Sequence, residues 1–403
     1  MKACDIVQFH SDLSGGVKRY LYDKVHYFSA KEGIDHFAVI PVETNYMEEV
    51  EGSRVYGIAS PRLPGSRSYR MLISRTNILN VIKNEHPDII EVDSPYRSAW
   101  IGVEAAARHG IPVVGFYHSD YPRAVGRTLR RYVGRPIEKA LSFSVYRYLL
   151  NLYNRMSATV VATQRFYRIL EDAGIQRLVR IPLGTDVDVF SPRHPRETLR
   201  AELGLPGNVK LLLYVGRIAR EKNVRQLLQA MEIVNDGSRL NAHLLLVGDG
   251  EQRRLAERYA FGRSDITLQG YCKERNRLAE LFSAADLLVH PGTNETFGLV
   301  CLEAQACGTR ALAVRNGGLE EALAGDTDPV LADDASPDSL ARAIRKCLDS
   351  GESEEDRHER RERIVNSCRI ELTFERLLKM YNCLCRNSAC ASGISEEVLS
   401  GKC

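Results

Sequence analysis

The 403 residues contain no apolar run near the roughly 18 that a membrane-spanning helix requires. The opening "MKACDIVQFH" has no signal-peptide core, so the expectation is a cytoplasmic chain, at most peripheral at the inner face of a membrane. A dinucleotide fingerprint, GxGxxG after the first strand with an acid about 20 residues on, is missing, because "SDLSGGVKRY" stands in its place. That disfavours a dehydrogenase. No Asp-x-Asp pair sits in a plausible position for a catalytic cation. Ten cysteines are present, but six are scattered through expected strands and helices. The other four, at 383, 385, 390 and 403, lie in "CLCRNSACASGISEEVLSGKC", and a CxC with no matching pair is weak ground for zinc. Reduced thiols and a flexible tail over 386–403 are expected.

What is present is the composition of a soluble globular protein, 44% hydrophobic and 27% charged. The length exceeds one ordinary core, so two or three domains are expected. The net charge of +3 is unevenly spread. Residues 1–185 carry 25 Lys and Arg against 18 Asp and Glu, a net of +7, and the remainder carries a net of −4. The first half is the part suited to an anionic partner.

Short apolar runs alternate with amphipathic stretches of helix length. Expected strands are "DIVQF", "HFAVIPV", "DIIEV", "PVVGFY", "ATVVAT", "KLLLYVG", "HLLLVGDG", "DITLQG", "DLLVHPG" and "ALAVRNGG". This order points to an α/β chain of parallel sheets covered by helices on both faces. The Pro-, Gly- and Asp-rich "RIPLGTDVDVFSPRHPRE" reads as the linker between two Rossmann-like halves, 1–185 and 186–364, with a helix at about 365–385 packing back on the first. In open parallel sheets ligands gather beyond the carboxyl ends of strands, where the Gly-bearing turns fall.

One such turn opens "HPGTNETFGLVCLEAQACG", residues 290–308. A helix closed by Gly308 is expected there, with Gly298 leaving phosphate room to approach the amides of Leu299 and Val300. Glu295 stands outside this helix mouth, and Glu303 is placed two turns inside, about 12 Å along at ~1.5 Å per residue. That span matches a nucleotide sugar from sugar to ribose. The competing reading makes Glu295 an electrostatic cap and Glu303 a solvated surface acid. "YVGRIAREKN" sets Arg217 and Lys222 just after a strand, where they could neutralise a diphosphate or simply form a basic turn. Gly248 and Gly250 in "GDG", and Gly317 and Gly318 in "NGG", either admit a ligand or only turn the chain.

With these stretches in order, the chain resembles a retaining glycosyltransferase of the glycosyl transferases group 1 family, glycosyltransferase family 4, from "SGGVKRYLYD" to about residue 370. The resemblance implies the GT-B architecture, two Rossmann-like domains facing each other across a cleft. It implies a donor site of Gly15, Gly16, Arg217, Lys222, Gly248, Gly250, Glu295, Phe297, Gly298, Leu299, Val300 and Glu303. Within it Glu295 reaches the sugar, Glu303 holds the ribose, and Arg217 and Lys222 bind the diphosphate. His118 in "GFYHSD" matches a histidine facing the donor sugar, although a His at a strand end is by itself more often structural; His10 is left as structural. Two departures, Thr296 where Gly is frequent and Arg310 where Pro is usual, bear on donor identity more than on activity.

The implied reaction moves a hexose from GDP-mannose or a UDP-sugar to a lipid or saccharide acceptor, by front-face attack, without a cofactor or metal. Basic and aromatic residues crowd "YPRAVGRTLRRYVGRPIEKALSFSVYRYLLNLYNR", residues 121–155, with eight Arg or Lys against one acid, Glu138. An anionic membrane surface and a solvated basic helix fit this stretch equally. Nucleic acid fits poorly, because no binding module accompanies the charge. A catalytically silent GT-B subunit that only binds a nucleotide sugar or a partner is the second reading. An epimerase of similar shape is the third, disfavoured by the paired glutamates.

Overall fold

Runs such as "VVGF" and "KLLLYV" are apolar at every position, which suits strands buried on both faces rather than on one. In a computed structural model they are. The structure describes residues 1–10, 16–64, 69–122, 135–192, 196–236 and 240–386, with side chains from Phe143 onward in the helix that opens at Arg135. The chain divides into two units, one of residues 1–182 with the segment from Thr373, the other of residues 183–372.

The first unit holds an eight-stranded sheet. Its strands are β1 (Lys2–Ile6), β3 (Asp35–Val42), β4 (Tyr46–Val50), β5 (Ser53–Ala59), β7 (Ile89–Val92), β8 (Val113–Tyr117), β9 (Ala158–Val161) and β10 (Leu178–Arg180), in the order β10-β9-β8-β7-β1-β3-β5-β4. Only β4 runs antiparallel, on β5 at the edge. A separate ribbon pairs β2 (Phe9–His10) with β6 (Arg70–Met71). Ile6, Phe37, Val39, Ile90 and Phe116 are fully buried beneath the flanking helices; each such side chain contributes about 1.5–3 kcal/mol by leaving water.

The second unit holds six strands, all parallel: β11 (Lys210–Val215), β12 (Ala242–Val247), β13 (Ile266–Gln269), β14 (Leu287–His290), β15 (Ala311–Val314) and β16 (Val330–Ala332), in the order β13-β12-β11-β14-β15-β16. Two segments near its boundaries run side by side: Thr185 N–H donates to Cys368 O at 2.8 Å and Ile370 N–H to Thr185 O at 2.9 Å. From there the helix Ile370–Arg386 joins the first unit, where Tyr381 and Phe374 are fully buried. Cys4, Cys301, Cys307 and Cys347 are free, buried thiols. The expected flexible stretch after Arg386 lies outside the described residues. No helix among the described residues is long and apolar enough to cross a membrane.

Candidate functional site

The second unit gathers most of the singled-out residues at the carboxyl ends of β11, β12, β14 and β15. β14 ends at His290, a turn follows, and the helix Leu299–Ala306 begins. Gly298 is its N-cap at φ +91°, and no side chain caps the helix there. A Cβ on Gly298 would lie 2.0 Å from Leu319 Cδ2 on a left-handed backbone, so any other residue needs both a strained φ and a shift of the leucine. The part-exposed Leu299 and Val300 thus present first-turn amides beside the positive end of the helix.

At that mouth Lys222 Nζ forms an ion pair with Glu295 Oε1. Both side chains are mostly buried, at 18% and 14% exposure, so the pair is weakly screened. Glu295 is fixed through its backbone as well, its N–H donating to Gly317 O at 3.0 Å. His290 Nε2 lies 3.6 Å from the same Glu295 oxygen. The N–H of Gly292 donates to His290 Nδ1 at 3.3 Å, which makes Nδ1 the acceptor and leaves the proton of the neutral ring on Nε2, toward Glu295. Burial pushes the His290 imidazole down to about 4, against the pull of Glu295. Burial alone would raise the Glu295 carboxyl, but His290, Lys222 and Arg217 outweigh it and hold it below the usual range. With His290 neutral near pH 7, the two cations supply the attraction there. Arg217 is 66% exposed and pairs with Glu221 at 2.5 Å, and its charge still acts on the Glu295 carboxyl.

One expectation needs correction, and other residues gain a structural setting. Glu303 lies four residues after Leu299, about one turn into the helix rather than two, because residues 295–298 are a turn and the helical rise does not apply to them. Glu303 is also not a solvated acid, being 3% exposed. Phe297 is likewise buried. Gly248 and Gly250 answer first to another strand's loop: a Cβ on Gly248 would lie 1.9 Å from Gly216 O, and Ile218 N–H donates to Asp249 O at 2.9 Å. The loops after β11 and β12 therefore interlock through their backbones, and this interlock shapes the segment that carries Arg217.

In the first unit Gly16 opens the helix Gly16–Ser29, while Gly15 lies outside the described residues. His118 follows β8, its ring stacked on Phe116 at 4.0 Å and edge-on to Tyr20 at 5.2 Å. Burial, then the charge of Lys24, drives its pKa down to about 3, with Asp5 opposing. Of the basic-aromatic segment, residues 123–134 lie outside the described residues. The rest includes an exposed face on the helix Arg135–Tyr153, with Phe143 at 65% and Tyr148 at 40% exposure.

Residues 195–365 match the family described as Glycosyl transferases group 1, and residues 14–221 match Glycosyltransferase Family 4, the latter over more than half of the chain. The chain belongs to glycosyltransferase family 4. Over 362 residues, 90% of each chain, it is 28% identical to a GDP-mannose-dependent alpha-(1-6)-phosphatidylinositol dimannoside mannosyltransferase of Mycobacterium tuberculosis. The fold is similar to that of sucrose-phosphate synthase from Thermosynechococcus elongatus, with a TM-score of 0.76 at 21% identity over 95% of this chain and 99% of that one. It is similar too to Anabaena HepE in complex with UDP-glucose, with a TM-score of 0.72 at 19% identity over 95% and 99%. The architecture is GT-B, two Rossmann-like domains, and the chain is a glycosyltransferase.

Residues beside the family motif also shape the candidate site of this glycosyltransferase. Asn223, left-handed at φ +54°, donates from Nδ2 to Pro291 O at 2.9 Å and so ties the Lys222 turn to the Glu295 turn. Its place directly after "REK" and the histidine of "LLVHPG" were the signals available in the sequence for Asn223 and His290. Arg310, one of the two departures from the family pattern, has its Nη1 3.4 Å from Ser350 Oγ.

Proposed function

We propose that this glycosyltransferase binds a nucleoside-diphosphate sugar beside the helix mouth at Gly298 and transfers its hexose with retention to a lipid or saccharide acceptor. The observation that carries the reading is the Lys222–Glu295 pair set against an uncapped helix N-terminus, with the charge of the exposed Arg217 acting on the same carboxyl. An ammonium has three donors, so Lys222 can hold Glu295 and a diphosphate oxygen together. The amides at the helix start add the preorganised positive end that a leaving diphosphate needs. Glu295 accepts from sugar hydroxyls and Glu303 from the ribose, and His118, kept neutral, takes the sugar-facing role that the family resemblance implies for it.

In the transfer the anomeric carbon–oxygen bond to the diphosphate breaks as the acceptor oxygen bonds on the same face. The departing diphosphate oxygen takes the acceptor's proton, so no protein nucleophile and no metal is called for. GDP-mannose is the first donor to try, because the mycobacterial relative similar over 90% of this chain is GDP-mannose-dependent; UDP-sugars come second, given HepE with UDP-glucose. A phosphoinositide-like glycolipid is the corresponding acceptor. The enzyme acts in the cytoplasm, peripherally at a membrane through its basic first unit.

The test is transfer from GDP-mannose and UDP-glucose to a phosphatidylinositol mannoside or an oligosaccharide, with and without EDTA, reading the product's anomeric configuration by NMR. Retention with EDTA-insensitive turnover is the expected result. Inversion contradicts the retaining step, and EDTA loss restored by Mg²⁺ contradicts metal independence. Nucleotide binding without transfer to any acceptor favours the silent-subunit reading.

A further inference from the structure

Beneath His118 lies a cluster of buried charges that the transfer reaction does not use. Asp5 on β1 and Glu91 on β7 are register partners and so face the same side of the sheet. Lys24, 1% exposed, reaches from the helix Gly16–Ser29 to both, at 2.7 and 3.0 Å. His36 Nε2 closes on the other Asp5 oxygen at 2.6 Å. Tyr381, from the chain's last described helix, donates to Glu91 Oε2 at 2.5 Å while its hydroxyl accepts from Lys24 at 2.9 Å. Tyr20 completes the cluster, its hydroxyl donating to Glu91 Oε1 at 3.1 Å.

Tyr20 links this cluster to His118. Its hydroxyl is anchored on Glu91 and its ring meets His118 at 5.2 Å, edge to face. Phe374 of the terminal helix packs behind the same ring at 5.7 Å, and Phe116 lies against it at 4.9 Å. Because Phe116 and His118 stand two residues apart at the end of β8, their rings project to one face and stack at 4.0 Å. The imidazole is thereby held flat on Phe116 and bounded at its edge by Tyr20. A neutral histidine that hydrogen-bonds a sugar hydroxyl must present one nitrogen in one direction, and small misplacements at reacting geometry are costly.

We propose that Tyr20 is a positioning residue for His118, and that the terminal helix, through Tyr381 and Phe374, holds Tyr20 in place. The proposal rests on the reading that His118 meets the donor sugar. The low pKa of His118 fits it: burial and then the charge of Lys24 keep the ring neutral, with Asp5 opposing.

The experiment compares Tyr20→Phe, Tyr20→Leu, His118→Gln and the Tyr20→Leu/His118→Gln double variant of the full chain. Two quantities are read: the ¹⁵N resonances of His118, identified by their loss in His118→Gln, and steady-state transfer. Tyr20→Leu is expected to shift the His118 resonances and lower turnover at least about tenfold. Nucleotide affinity should stay within about twofold, and the double variant should be no slower than His118→Gln alone. Tyr20→Phe, which keeps the ring and should fold even if the leucine variant does not, should shift the resonances less and retain more turnover. Unmoved His118 resonances in both Tyr20 variants overturn the proposal, as do losses that multiply in the double variant. Full turnover in His118→Gln sinks the donor role of His118 instead, and the resonances still decide whether Tyr20 positions it.

Discussion

Glu295 and Glu303 are both shielded carboxylates on one short segment, yet their surroundings differ. Glu295 stands before the helix with Lys222 and His290 on one oxygen; Glu303 is buried one turn inside. Glu295→Gln is expected to leave bare-nucleotide affinity near wild type and to cost about 2–4 kcal/mol of barrier, as loss of a preorganised charge does. Glu303→Ala should weaken nucleotide and nucleotide sugar alike. Calorimetric affinities and turnover numbers for both variants check this division, and the reverse pattern would exchange the two roles. His290 gives a pH signature. Its folded pKa of about 4 lies below the ordinary 6.5, so below pH 6.5 the unfolded chain binds a proton that the folded chain refuses. Stability should therefore fall as pH drops from about 6.5 to 4, by about 1.4 kcal/mol per pH unit for this group. Melting curves of His290→Gln should show a shallower acid loss than wild type; equal slopes would remove His290 from that account.

At the scale of elements, the helix Leu299–Ala306 depends on Gly298. Gly298→Ala would place a Cβ against Leu319 in a left-handed backbone. The expected cost is about 2–4 kcal/mol from strain and overpacking together, with a loss of turnover. Thermal denaturation beside donor binding tests it, and a variant as stable and active as wild type would show that the crossing relaxes freely. The long apolar strands were legible in the sequence because two-sided burial leaves no polar position. The edge strand "YMEEV" and the three-residue strands Leu178–Arg180 and Val330–Ala332 were not, since pairing with a neighbour rather than pattern makes them strands. The burial of Glu303 was legible in part: "LVCLEAQAC" is mostly apolar or small, so this helix packs on most of its sides and a glutamate within it is shielded. The Lys222–Glu295 pair and the Lys24 cluster were not, because their partners lie up to 357 residues apart and only the fold brings them together.

For the molecule as a whole, the proposed membrane contact of the first unit draws on the charge imbalance and on the exposed Phe143, Arg147 and Tyr148. Each basic residue near an anionic surface contributes about 1 kcal/mol. Co-sedimentation with phosphatidylglycerol vesicles should be salt-sensitive and should fall in Phe143→Ser/Arg147→Glu; binding equal to that of wild type would leave the face as solvated surface. The central claim is that a diphosphate sits at the helix mouth between Lys222 and Arg217. The most direct measurement is the affinity of GDP and of UDP for the wild type, Lys222→Ala and Arg217→Ala. Each substitution removes a charge-assisted contact of about 1.5–3 kcal/mol, so the account predicts affinity lower by about tenfold or more in both variants. Unchanged affinity in both would contradict it.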